Sequence, residues 1–571
     1  RALERLGVLQ VQVTERVPEF SGVGSRPVAT LNPEQRAAAD AIRGRLAAGE
    51  AGAFLLHGVT GSGKTEVFLE AAAAALAADR DVLILVPEIG LTHQLVQRTR
   101  DRFGAGVAVL HSGLTSSERW AAWRRIRARA ARVVVGARSA VFAPLARLGL
   151  IVVDEEHDAA YKQEDGIRYN ARDLAVVRAQ LARGVVVLSS ATPSAESFHA
   201  ATTGRYQLLR LRGRPDARPL PQVDIVDLRG RVHRSDGAEL LSDELRAAIE
   251  ATLARREQAL VFLNRRGFAR CLQCPACGTP VACPQCSVSL TWHRAAATLV
   301  CHHCHHHRPP PAACPSCGAP GLLAFGIGTE QVESLLRAAY PEARIARLDR
   351  DATQRAGMQE RILADWHAGN LDLLVGTQMV SKGHDVPGVT LVVVLLADLS
   401  LNMPDFRAAE RTMQLLLQVA GRAGRGREPG RVIVQSFRPN HPSIAAAKEH
   451  DYERFMAGEL ARREELGYPP FARFVGVRLE GRDARRVERS ARALAEALAS
   501  EARTLGLGGD AVLGPAPAPI ERVRGRYRWQ VLARAAAPAA VRALARAAAT
   551  HARAARERDL RVIIDVDPYS M

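Results

Sequence analysis

A glycine-rich segment near the start of the sequence has the residue types and spacing that hold a polyphosphate. Residues 58–65 read GVTGSGKT and fit the pattern G-x-x-x-x-G-K-[ST], with an apolar strand predicted before them and a helix after them. Backbone N–H groups of such a loop point at phosphate oxygens, and the helix adds its positive end. We predict an ATP and Mg²⁺ site in which Lys64 reaches the outer phosphates and Thr65 holds the metal. The predicted nucleotide-binding residues here are Gly58, Val59, Thr60, Gly61, Ser62, Gly63, Lys64, Thr65 and Glu66.

Two acidic residues after another apolar strand complete the predicted catalytic centre. Residues 150–157 read LIVVDEEH, so the carboxylates directly follow an apolar run. In phosphoryl transfer an aspartate at this place holds the Mg²⁺ shell and a glutamate polarises the attacking water. We assign these roles to Asp154 and Glu155. An acidic turn after a strand is common by itself, and both segments together fit any P-loop ATPase, including kinases, transporter subunits and protease unfoldases.

Eight of the nine cysteines form four CxxC pairs, which are Cys274/Cys277, Cys283/Cys286, Cys301/Cys304 and Cys314/Cys317. Each pair can present two thiolates to one tetrahedral metal, so the four pairs predict two Cys₄ zinc sites. An iron–sulfur cluster is the main alternative, because it also takes four thiolates. Spacing does not say which pairs share a metal. Cys271 has no partner at the right offset and is predicted to be a spare thiol.

Five histidines crowd the inner cysteines, and we predict that they are solvated loop residues rather than ligands, because four thiolates already fill a site. They are His302, His303, His305, His306 and His307.

Short apolar strands alternate with helical stretches in two parts of the chain, which predicts an α/β fold with two lobes, each a parallel sheet covered on both faces. The segment 210–221 between the lobes is rich in arginine and proline and is predicted to be a linker. Predicted strands of the first lobe are Ala53–His57, Val82–Val86, Val107–Leu110, Arg132–Val135, Leu150–Val153 and Val185–Leu188. Those of the second are Ala259–Leu263, Arg344–Leu348, Asp372–Val375, Thr390–Leu396 and Arg431–Gln435.

Three further segments resemble motifs of the superfamily 2 helicases. Residues 154–157 (DEEH) resemble their DEAH-type box, residues 190–192 (SAT) resemble the motif that links ATP state to DNA contact, and residues 418–425 (QVAGRAGR) resemble the arginine-finger motif. An arginine supplied by a second lobe stabilises charge on the transferred phosphoryl group, so Arg422 and Arg425 are predicted catalytic residues. The resemblance also implies that Gln35 contacts adenine, although the local sequence fits a solvated polar residue in a first helical turn equally well.

The match narrows to the PriA family of bacterial replication-restart, or primosomal, helicases. Residues 158–173 (DAAYKQEDGIRYNARD) resemble its aromatic-rich loop, in which tyrosines and basic residues suit base stacking and phosphate contact; a plain surface loop is the alternative. Residues 86–92 (VPEIGLT), 263–269 (LNRRGFA), 376–390 (GTQMVSKGHDVPGVT) and 404–411 (PDFRAAER) are similar too. The resemblance runs from about Leu31 to Pro568.

This resemblance implies two RecA-like helicase lobes with an inserted Cys-rich zinc-binding region and a small α+β C-terminal domain. The zinc island is expected to be nested, with the outer CxxC pairs sharing one ion and the inner pairs the other. The family's N-terminal 3′-DNA-binding domain has no expected counterpart, and Leu3–Val17 is predicted to be the tail of a winged helix. The expected divisions are 1–30 (winged-helix remnant or linker), 31–212 (lobe 1), 213–269 with 321–447 (lobe 2), 270–320 (zinc island) and 448–571 (DNA-binding domain).

The activity implied by the resemblance is ATP-driven 3′→5′ unwinding of single-stranded and forked DNA at stalled forks. Implied partners are primosome proteins, single-stranded DNA-binding protein and the replicative helicase loading system. Two alternatives remain: a DNA- and zinc-binding primosome scaffold with little or no unwinding, and an RNA helicase. In the last domain, residues 521–530 (ERVRGRYRWQ) place several arginines beside Trp529, which predicts phosphate contact and one stacking aromatic; a solvated basic edge strand is equally compatible.

Composition agrees with a nucleic-acid partner. The net charge is +18 and the pI about 10.2, which favours polyanions, although arginine also accumulates in alanine- and glycine-rich chains without a ligand. No apolar run approaches the ~20 residues of a membrane span, so no membrane contact is predicted. Cysteines confined to one island are typical of intracellular metal proteins. The expected location is cytoplasmic and nucleoid-associated.

Overall fold

The computed structural model describes residues 30–87, 93–215, 219–230, 240–263, 271–284, 288–293, 297–302, 304–324, 328–349, 352–353, 357–377, 380, 386, 388–403, 405–424, 428–555 and 559–570. The predicted winged-helix tail, Leu3–Val17, lies outside these residues, as do Cys286, His303 and Arg425. Within the described part, no helix is long and apolar enough to cross a bilayer.

Lobe 1 is a seven-stranded sheet in which every pairing is parallel. Its elements, in chain order, are α1 (Pro33–Ala47), β1 (Gly52–Gly58), α2 (Lys64–Ala77), β2 (Asp81–Leu85), α3 (His93–Phe103), β3 (Val107–Leu110), α4 (Ser116–Arg127), β4 (Val133–Gly136), β5 (Leu148–Asp154), α5 (Ala171–Leu181), β6 (Val185–Ser190), α6 (Ala195–Thr202) and β7 (Gln207–Leu211). The strand order is β3-β4-β2-β5-β6-β1-β7.

Alternation along the strands explains why helices cover both faces of this sheet. On β1, Phe54 and Leu56 join the apolar cluster formed with α1 and α2, whereas Leu55 joins the cluster formed with α5. Successive side chains of a strand point to opposite faces, so an unbroken apolar run requires a cover on each side.

The next part of the chain contains lobe 2 with a cysteine-rich island inserted after its second strand. The elements are β8 (Gln222–Asp227), α7 (Asp243–Ala254), β9 (Gln258–Leu263), the island strands β10 (Leu272–Gln273), β11 (Thr291–His293), β12 (Thr298–Val300), β13 (His307–Arg308) and β14 (Leu323–Ala324), then α8 (Thr329–Ala339), β15 (Ile345–Leu348), α9 (Met358–His367), β16 (Leu373–Gly376), β17 (Val389–Leu395), α10 (Asp398–Leu401), α11 (Ala408–Ala420) and β18 (Arg431–Ser436). Lobe 2 is a six-stranded parallel sheet of order β15-β16-β9-β17-β18-β8.

The last part of the chain carries a four-stranded antiparallel sheet of order β20-β21-β19-β22. Its elements, after the helices α12 (Pro442–Lys448) and α13 (Tyr452–Leu466), are β19 (Arg473–Gly481), α14 (Ala484–Thr504), β20 (Val512–Val523), β21 (Arg526–Ala535), α15 (Pro538–Ala555) and β22 (Arg561–Val566). Apolar residues of α14 and α15 form one cluster with this sheet. By contrast, Phe455 and Met456 of α13 belong to the cluster shared by the two lobes.

The predicted fold class is confirmed, and each predicted strand corresponds to an observed strand within a few residues. The predicted linker 210–221 is wrong at its start, because Arg210 and Leu211 are the last residues of β7 and pair with β1. The two strands that border this segment, β7 and β8, were not predicted. Both are edge strands with mixed exposure, so their apolar pattern is weaker than that of the central strands.

A buried charge network holds the two lobes against each other. Glu410 of α11 accepts a hydrogen bond from the Ala195 N–H, at the start of α6, at 2.9 Å, and it pairs with Arg463 of α13 at 2.7 Å. Glu196 of α6 pairs with Arg407 at 2.5 Å. Removing one partner of such a buried pair typically costs about 3–5 kcal/mol. Lobe 1 and lobe 2 therefore meet in a defined contact.

Candidate ATP and metal sites

The phosphate loop connects β1 to α2 with the geometry that its glycines allow. Gly61 and Gly63 have φ of 84° and 79°, and Gly63 is the N-cap of α2. Side chains rarely adopt this left-handed region, so glycine is needed at both positions. Lys64 is the first residue of the helix, and its Nζ donates to the carbonyl oxygens of Gly58 at 2.8 Å and Val59 at 3.3 Å. The ammonium group therefore lies over the loop, where a phosphate would bind.

Gln35 is buried against this loop, so its alternative interpretation as a solvated residue is wrong. Its Nε2 donates to the Ser62 carbonyl oxygen at 2.8 Å, and its Oε1 accepts from the Asn32 N–H at 2.9 Å. The second bond is half of a capping box that starts α1, with Pro33 as the first helical residue. Gln35 thus ties the start of α1 to the phosphate loop, and its contact with adenine stays a prediction.

Replacing Gln35 with alanine is expected to raise KM for ATP about fivefold, because one loop-holding hydrogen bond of about 1 kcal/mol is lost. Steady-state hydrolysis with ATP and with GTP measures this. An equal rise for both nucleotides would assign the effect to the loop contact, whereas a rise confined to ATP would assign it to adenine. Arg36→Ala, which alters the next, exposed position of α1, is the matched control.

The acidic box lies at the carboxyl end of β5, beside the phosphate loop. Asp154 ends the strand and accepts a hydrogen bond from the Ser189 hydroxyl at 3.1 Å. Burial and, after it, the neighbouring Glu155 carboxylate together raise the pKa of Asp154 to about 6, against the lowering effect of the Lys64 ammonium. Two adjacent carboxylates with a single nearby ammonium leave room for another cation, which suits Mg²⁺.

Two buried polar atoms at this site lack hydrogen-bond partners among the described residues, namely Ser62 Oγ and Glu155 Oε2. Buried polar atoms are normally paired, so unpaired ones are expected where a ligand or water binds. One lies in the phosphate loop and the other on the carboxylate predicted to polarise water. The residues present therefore fit a nucleotide with its metal ion.

The second lobe reaches this site directly. The Gln418 Nε2 amide lies 2.7 Å from His157 Nε2, so the amide donates and the imidazole carries its proton on Nδ1. That Nδ1 donates in turn to the Ser190 hydroxyl at 2.8 Å. Gly421 packs so tightly that a Cβ there would lie 2.7 Å from the Thr60 methyl group of the phosphate loop. The DEEH box, the SAT segment and the QVAGRAGR segment thus form one contiguous site.

The remaining predicted site residues take different places. Thr65 is the second residue of α2 and half-buried. Glu66 lies within 4.0 Å of Arg98 and Arg102, on the side facing α3. Arg422 follows α11 and lines a small hollow in lobe 2, and Arg425 lies outside the described residues. The roles of the two arginines stay predictions.

Glu156, for which the sequence predicted no role of its own, organises the same region. It is 1% exposed, accepts from the Ser194 N–H at 2.6 Å and the Ser197 hydroxyl at 2.8 Å, and lies 3.3 Å from Arg172. Because Ser194 caps α6, this carboxylate joins the acidic box to the helix that follows the SAT segment. The available sequence signal was a third acidic residue directly after the two predicted catalytic acids.

The start of the aromatic-rich loop is packed on protein, so the predicted role of this loop as a stacking platform is wrong for Tyr161. This tyrosine is 1% exposed, and its hydroxyl donates to the Asp154 carbonyl oxygen at 2.6 Å. Lys162 donates to the carbonyl oxygens of Val566 and Asp567 at 2.9 and 3.0 Å. Tyr169 is only half-buried and lies edge-on to Phe142, with ring centroids 5.1 Å apart.

The described thiols form two clusters in the nested arrangement. Cys274, Cys277, Cys314 and Cys317 form one group, with Cys274–Cys317 and Cys277–Cys314 Sγ separations of 3.7 Å. Cys283, Cys301 and Cys304 form the other, with Cys283 and Cys304 3.6 Å apart. Thiolates about 2.3 Å from a tetrahedral Zn²⁺ lie about 3.8 Å from one another. Both clusters therefore have the dimensions of a single-ion site, and Cys271 belongs to neither.

Each thiol cluster is attached to a different neighbour. Beside the outer cluster, Asn402 donates to Gln273 at 2.8 Å, and a Cβ on Gly278 would lie 1.8 Å from the Phe437 carbonyl oxygen of lobe 2. Gly278 also has φ of 74°, so this knuckle needs glycine twice over. Beside the inner cluster, His302 lies 2.8 Å from the Pro517 carbonyl oxygen of β20.

Two predictions about aromatic residues at this contact are wrong. His302 is 1% exposed rather than solvated, and its carbonyl oxygen accepts from Gln530 at 2.7 Å. Trp529 is 7% exposed, belongs to the core of the last domain and lies edge-on to His305 at 5.4 Å between ring centroids. It therefore cannot offer a free face to a nucleic-acid base in this conformation.

The arginines beside Trp529 are also partly engaged. Arg526 pairs with Asp559 and Arg528 with Glu480, each at 3.0 Å, and Arg522 lies 5.0 Å from the Tyr527 ring centroid. Their predicted contact with phosphate stays a prediction.

Family models match four parts of the chain. The descriptions and residues are DEAD/DEAH box helicase (32–200), PriA DNA helicase Cys-rich region domain (283–309), helicase conserved C-terminal domain (322–427) and Primosomal protein N C-terminal domain (464–569).

Curated relatives extend the match over nearly the whole chain. The Replication restart protein PriA of Bacillus subtilis is 44% identical over 95% of this chain and 67% of its own length. The protein of that name from Treponema pallidum is 44% identical over 96% of this chain and 81% of its own. Among solved structures, RecG bound to a three-way DNA junction gives a TM-score of 0.44 at 18% identity, covering 77% of this chain and 51% of that one.

Proposed function

Because the chain belongs to the PriA family of replication restart proteins, we propose that it is an ATP-dependent DNA helicase that unwinds DNA 3′→5′ at stalled or branched forks, so that replication restarts through primosome assembly. One observation carries the motor function: the 2.7 Å contact between His157 and Gln418, which joins the acidic box of lobe 1 to the arginine motif of lobe 2. A site divided between two lobes is complete only when they meet, so hydrolysis and relative motion are linked.

The proposed roles at the ATP site follow from position. Lys64 neutralises the outer phosphates, Asp154 holds the Mg²⁺ shell, and Glu155 orients and polarises the attacking water. Arg422 and Arg425 would approach the transferred phosphoryl group from lobe 2. ATP with its metal ion supplies the phosphoanhydride bond whose cleavage drives the cycle.

The same hydrogen bonds offer a route from the nucleotide to DNA. The Ser190 hydroxyl accepts from His157 at 2.8 Å and from the Thr192 N–H at 2.9 Å. A shift of the acidic box therefore moves the SAT segment, whose counterpart in the resembled helicases links ATP state to DNA contact.

For the thiol clusters we propose two Zn²⁺ ions, with Cys286 completing the inner set. The Sγ separations of 3.6–3.7 Å support one ion per cluster, since an iron–sulfur core would place further atoms between the thiolates. Four-thiolate sites have no open position, so the island would organise contacts rather than perform chemistry.

The proposed partners are single-stranded and forked DNA, primosome proteins, single-stranded DNA-binding protein and the replicative helicase loading system, in a cytoplasmic, nucleoid-associated setting. Unwinding of forked DNA carrying a 3′ or a 5′ arm, with and without ATP, tests activity and direction together. ATP hydrolysis that is stimulated by RNA but not DNA would favour the RNA-helicase alternative, and DNA binding without stimulated hydrolysis would favour the scaffold.

A further inference from the structure

Two tyrosine hydroxyls from distant parts of the chain hold the backbone of the acidic box. The Tyr161 hydroxyl donates to the Asp154 carbonyl oxygen at 2.6 Å, and the Tyr569 hydroxyl donates to the His157 carbonyl oxygen at 2.7 Å. The first bond is local, whereas the second spans 412 residues of sequence. Between the two anchored carbonyls lies Glu155, the residue proposed to polarise the attacking water.

The backbone of Glu155 is strained at this place. Its φ is 46°, in the left-handed region that side-chain-bearing residues seldom adopt. Such a conformation persists only where surrounding contacts over-determine it. The two hydroxyls anchor the carbonyls immediately before and two residues after Glu155. They act beside two backbone hydrogen bonds of the same turn, from the Asp158 N–H to the Glu155 carbonyl oxygen at 2.8 Å and from the Glu156 N–H to the Ser189 carbonyl oxygen at 3.1 Å.

Tyr569 is itself held by lobe 2. The Arg411 guanidinium donates to the Tyr569 carbonyl oxygen and lies 4.7 Å from the ring centroid, while Arg407 lies 5.5 Å from it. Both arginines also take part in ion pairs, with Asp405 at 2.8 Å and Glu196 at 2.5 Å respectively. A single side chain thus contacts the acidic box of lobe 1 and the arginine-rich start of α11 in lobe 2.

The segment that carries Tyr569 is also bound to the aromatic-rich loop. Lys162 lies 2.7 Å from Asp565, and Arg168 lies 3.1 Å from the same carboxylate. Since β22 leads directly into this segment, the last domain is connected to the acidic box by two neighbouring routes. A displacement of that domain would therefore change the position of the acidic box and of Glu155 within it.

We propose that Tyr569 is a positioning residue for ATP hydrolysis: its hydroxyl holds the acidic box so that Glu155 faces the attacking water when the lobes are in contact. The inference rests on the proposed function. Tyr569 touches neither nucleotide nor water in this role and acts through the His157 carbonyl group.

Tyr569→Phe tests this proposal, because it removes the hydroxyl and keeps the ring between Arg407 and Arg411. We expect kcat for DNA-stimulated hydrolysis to fall about fivefold, the size of one lost hydrogen bond, while KM for ATP and the DNA concentration for half-maximal stimulation stay within about twofold. In a Glu155→Gln background, measured by single-turnover hydrolysis, Tyr569→Phe should cause no further loss, because the group it positions is gone.

Tyr340→Phe is the matched control: the same chemical change on a half-buried ring at the end of α8 in lobe 2, whose hydroxyl has no hydrogen-bond partner among the described residues. It should leave kcat unchanged, and both variants should unfold at the same temperature. Wild-type kcat in Tyr569→Phe would overturn the proposal, and so would an equal loss in the Glu155→Gln background. Failure of the wild-type chain to hydrolyse ATP would instead contradict the proposed function.

Discussion

Lys64→Ala is expected to lower DNA-stimulated ATP hydrolysis by about 100- to 1,000-fold, the loss typical when one charge-stabilising group is removed from a transition state. The ammonium lies over the phosphate loop, 2.8 Å from the Gly58 carbonyl oxygen, and no other lysine is near it in sequence. Alanine leaves a good helix former at the first position of α2, so the fold should persist. Hydrolysis with saturating single-stranded DNA, and unwinding of a fork, measure the effect.

Affinity for DNA without nucleotide should be unchanged in Lys64→Ala, which separates loss of catalysis from loss of substrate. Lys448→Ala, at the exposed end of α12, is the control, because it removes one of the four lysines of the chain without touching the loop. Hydrolysis at the wild-type rate in Lys64→Ala would remove the motor from the proposed function and leave the scaffold alternative.

Much of the fold was predictable because its signals are local. Runs such as Val185–Leu188 are apolar throughout, as strands covered on both faces must be, and they recur at intervals that require helical connections. The phosphate loop is contiguous in sequence, so its chemistry and its neighbouring elements were read together. The acidic box was predictable for the same reason, since it ends an apolar strand.

What the sequence did not predict depends on contacts between distant segments. Tyr161, Trp529 and His302 stand in polar or basic surroundings that are typical of exposed loops, yet each is covered by another part of the chain. Tyr161 donates a hydrogen bond to the end of the strand that precedes it. His302 of the cysteine-rich island is covered by the last domain, where Gln530 donates to its carbonyl oxygen, and Trp529 of the last domain lies against His305 of the island. Nothing in the spacing of ERVRGRYRWQ or CHHCHHH states that these two segments meet.

The same limitation applies to the cysteine pairs and to Glu155. Spacing alone allowed any two CxxC pairs to share a metal, and only the resemblance implied nesting; the Sγ separations within each described cluster come from the folded island. The left-handed backbone of Glu155 has no sequence signal, because residues that favour this region are glycine and asparagine. The hydroxyls of Tyr161 and Tyr569 bond carbonyl groups on either side of this residue, and Tyr569 lies far along the chain.

Metal content offers the second large expected effect, because a structural zinc site contributes about 10–16 kcal/mol of apparent binding energy to its own fold. Combining Cys274→Ser with Cys317→Ser should remove one ion of the two, since these Sγ atoms lie 3.7 Å apart in one cluster. Combining Cys274→Ser with Cys304→Ser should remove both. Native mass spectrometry of the purified chain counts the ions directly.

The single variants Cys274→Ser and Cys304→Ser, which each disturb one cluster, should also have different structural consequences. Serine at Cys274 should expose the lobe 2 contact around Phe437, whereas serine at Cys304 should expose the contact of His302 with Pro517 and Gln530. Hydrogen exchange should accordingly rise at the end of β18 in the first variant and in β20 and β21 in the second. Both variants should still hydrolyse ATP, because no described cysteine belongs to the nucleotide site.

Cys271→Ser is the control for this series. Its thiol is buried and lies three residues before Cys274 in the sequence, but it belongs to neither described cluster, so two ions should remain.

The double variants decide the pairing because they are matched in the number of thiols lost. If Cys274→Ser with Cys317→Ser released both ions, the outer pairs would not share a metal and the nested arrangement would be wrong; Cys274→Ser with Cys304→Ser would then release both ions for sequential pairing and one ion for alternating pairing. If iron were found in place of zinc, with absorbance in the visible range, the clusters would belong to redox chemistry, and their proposed role in holding the island between lobe 2 and the last domain would have to be abandoned.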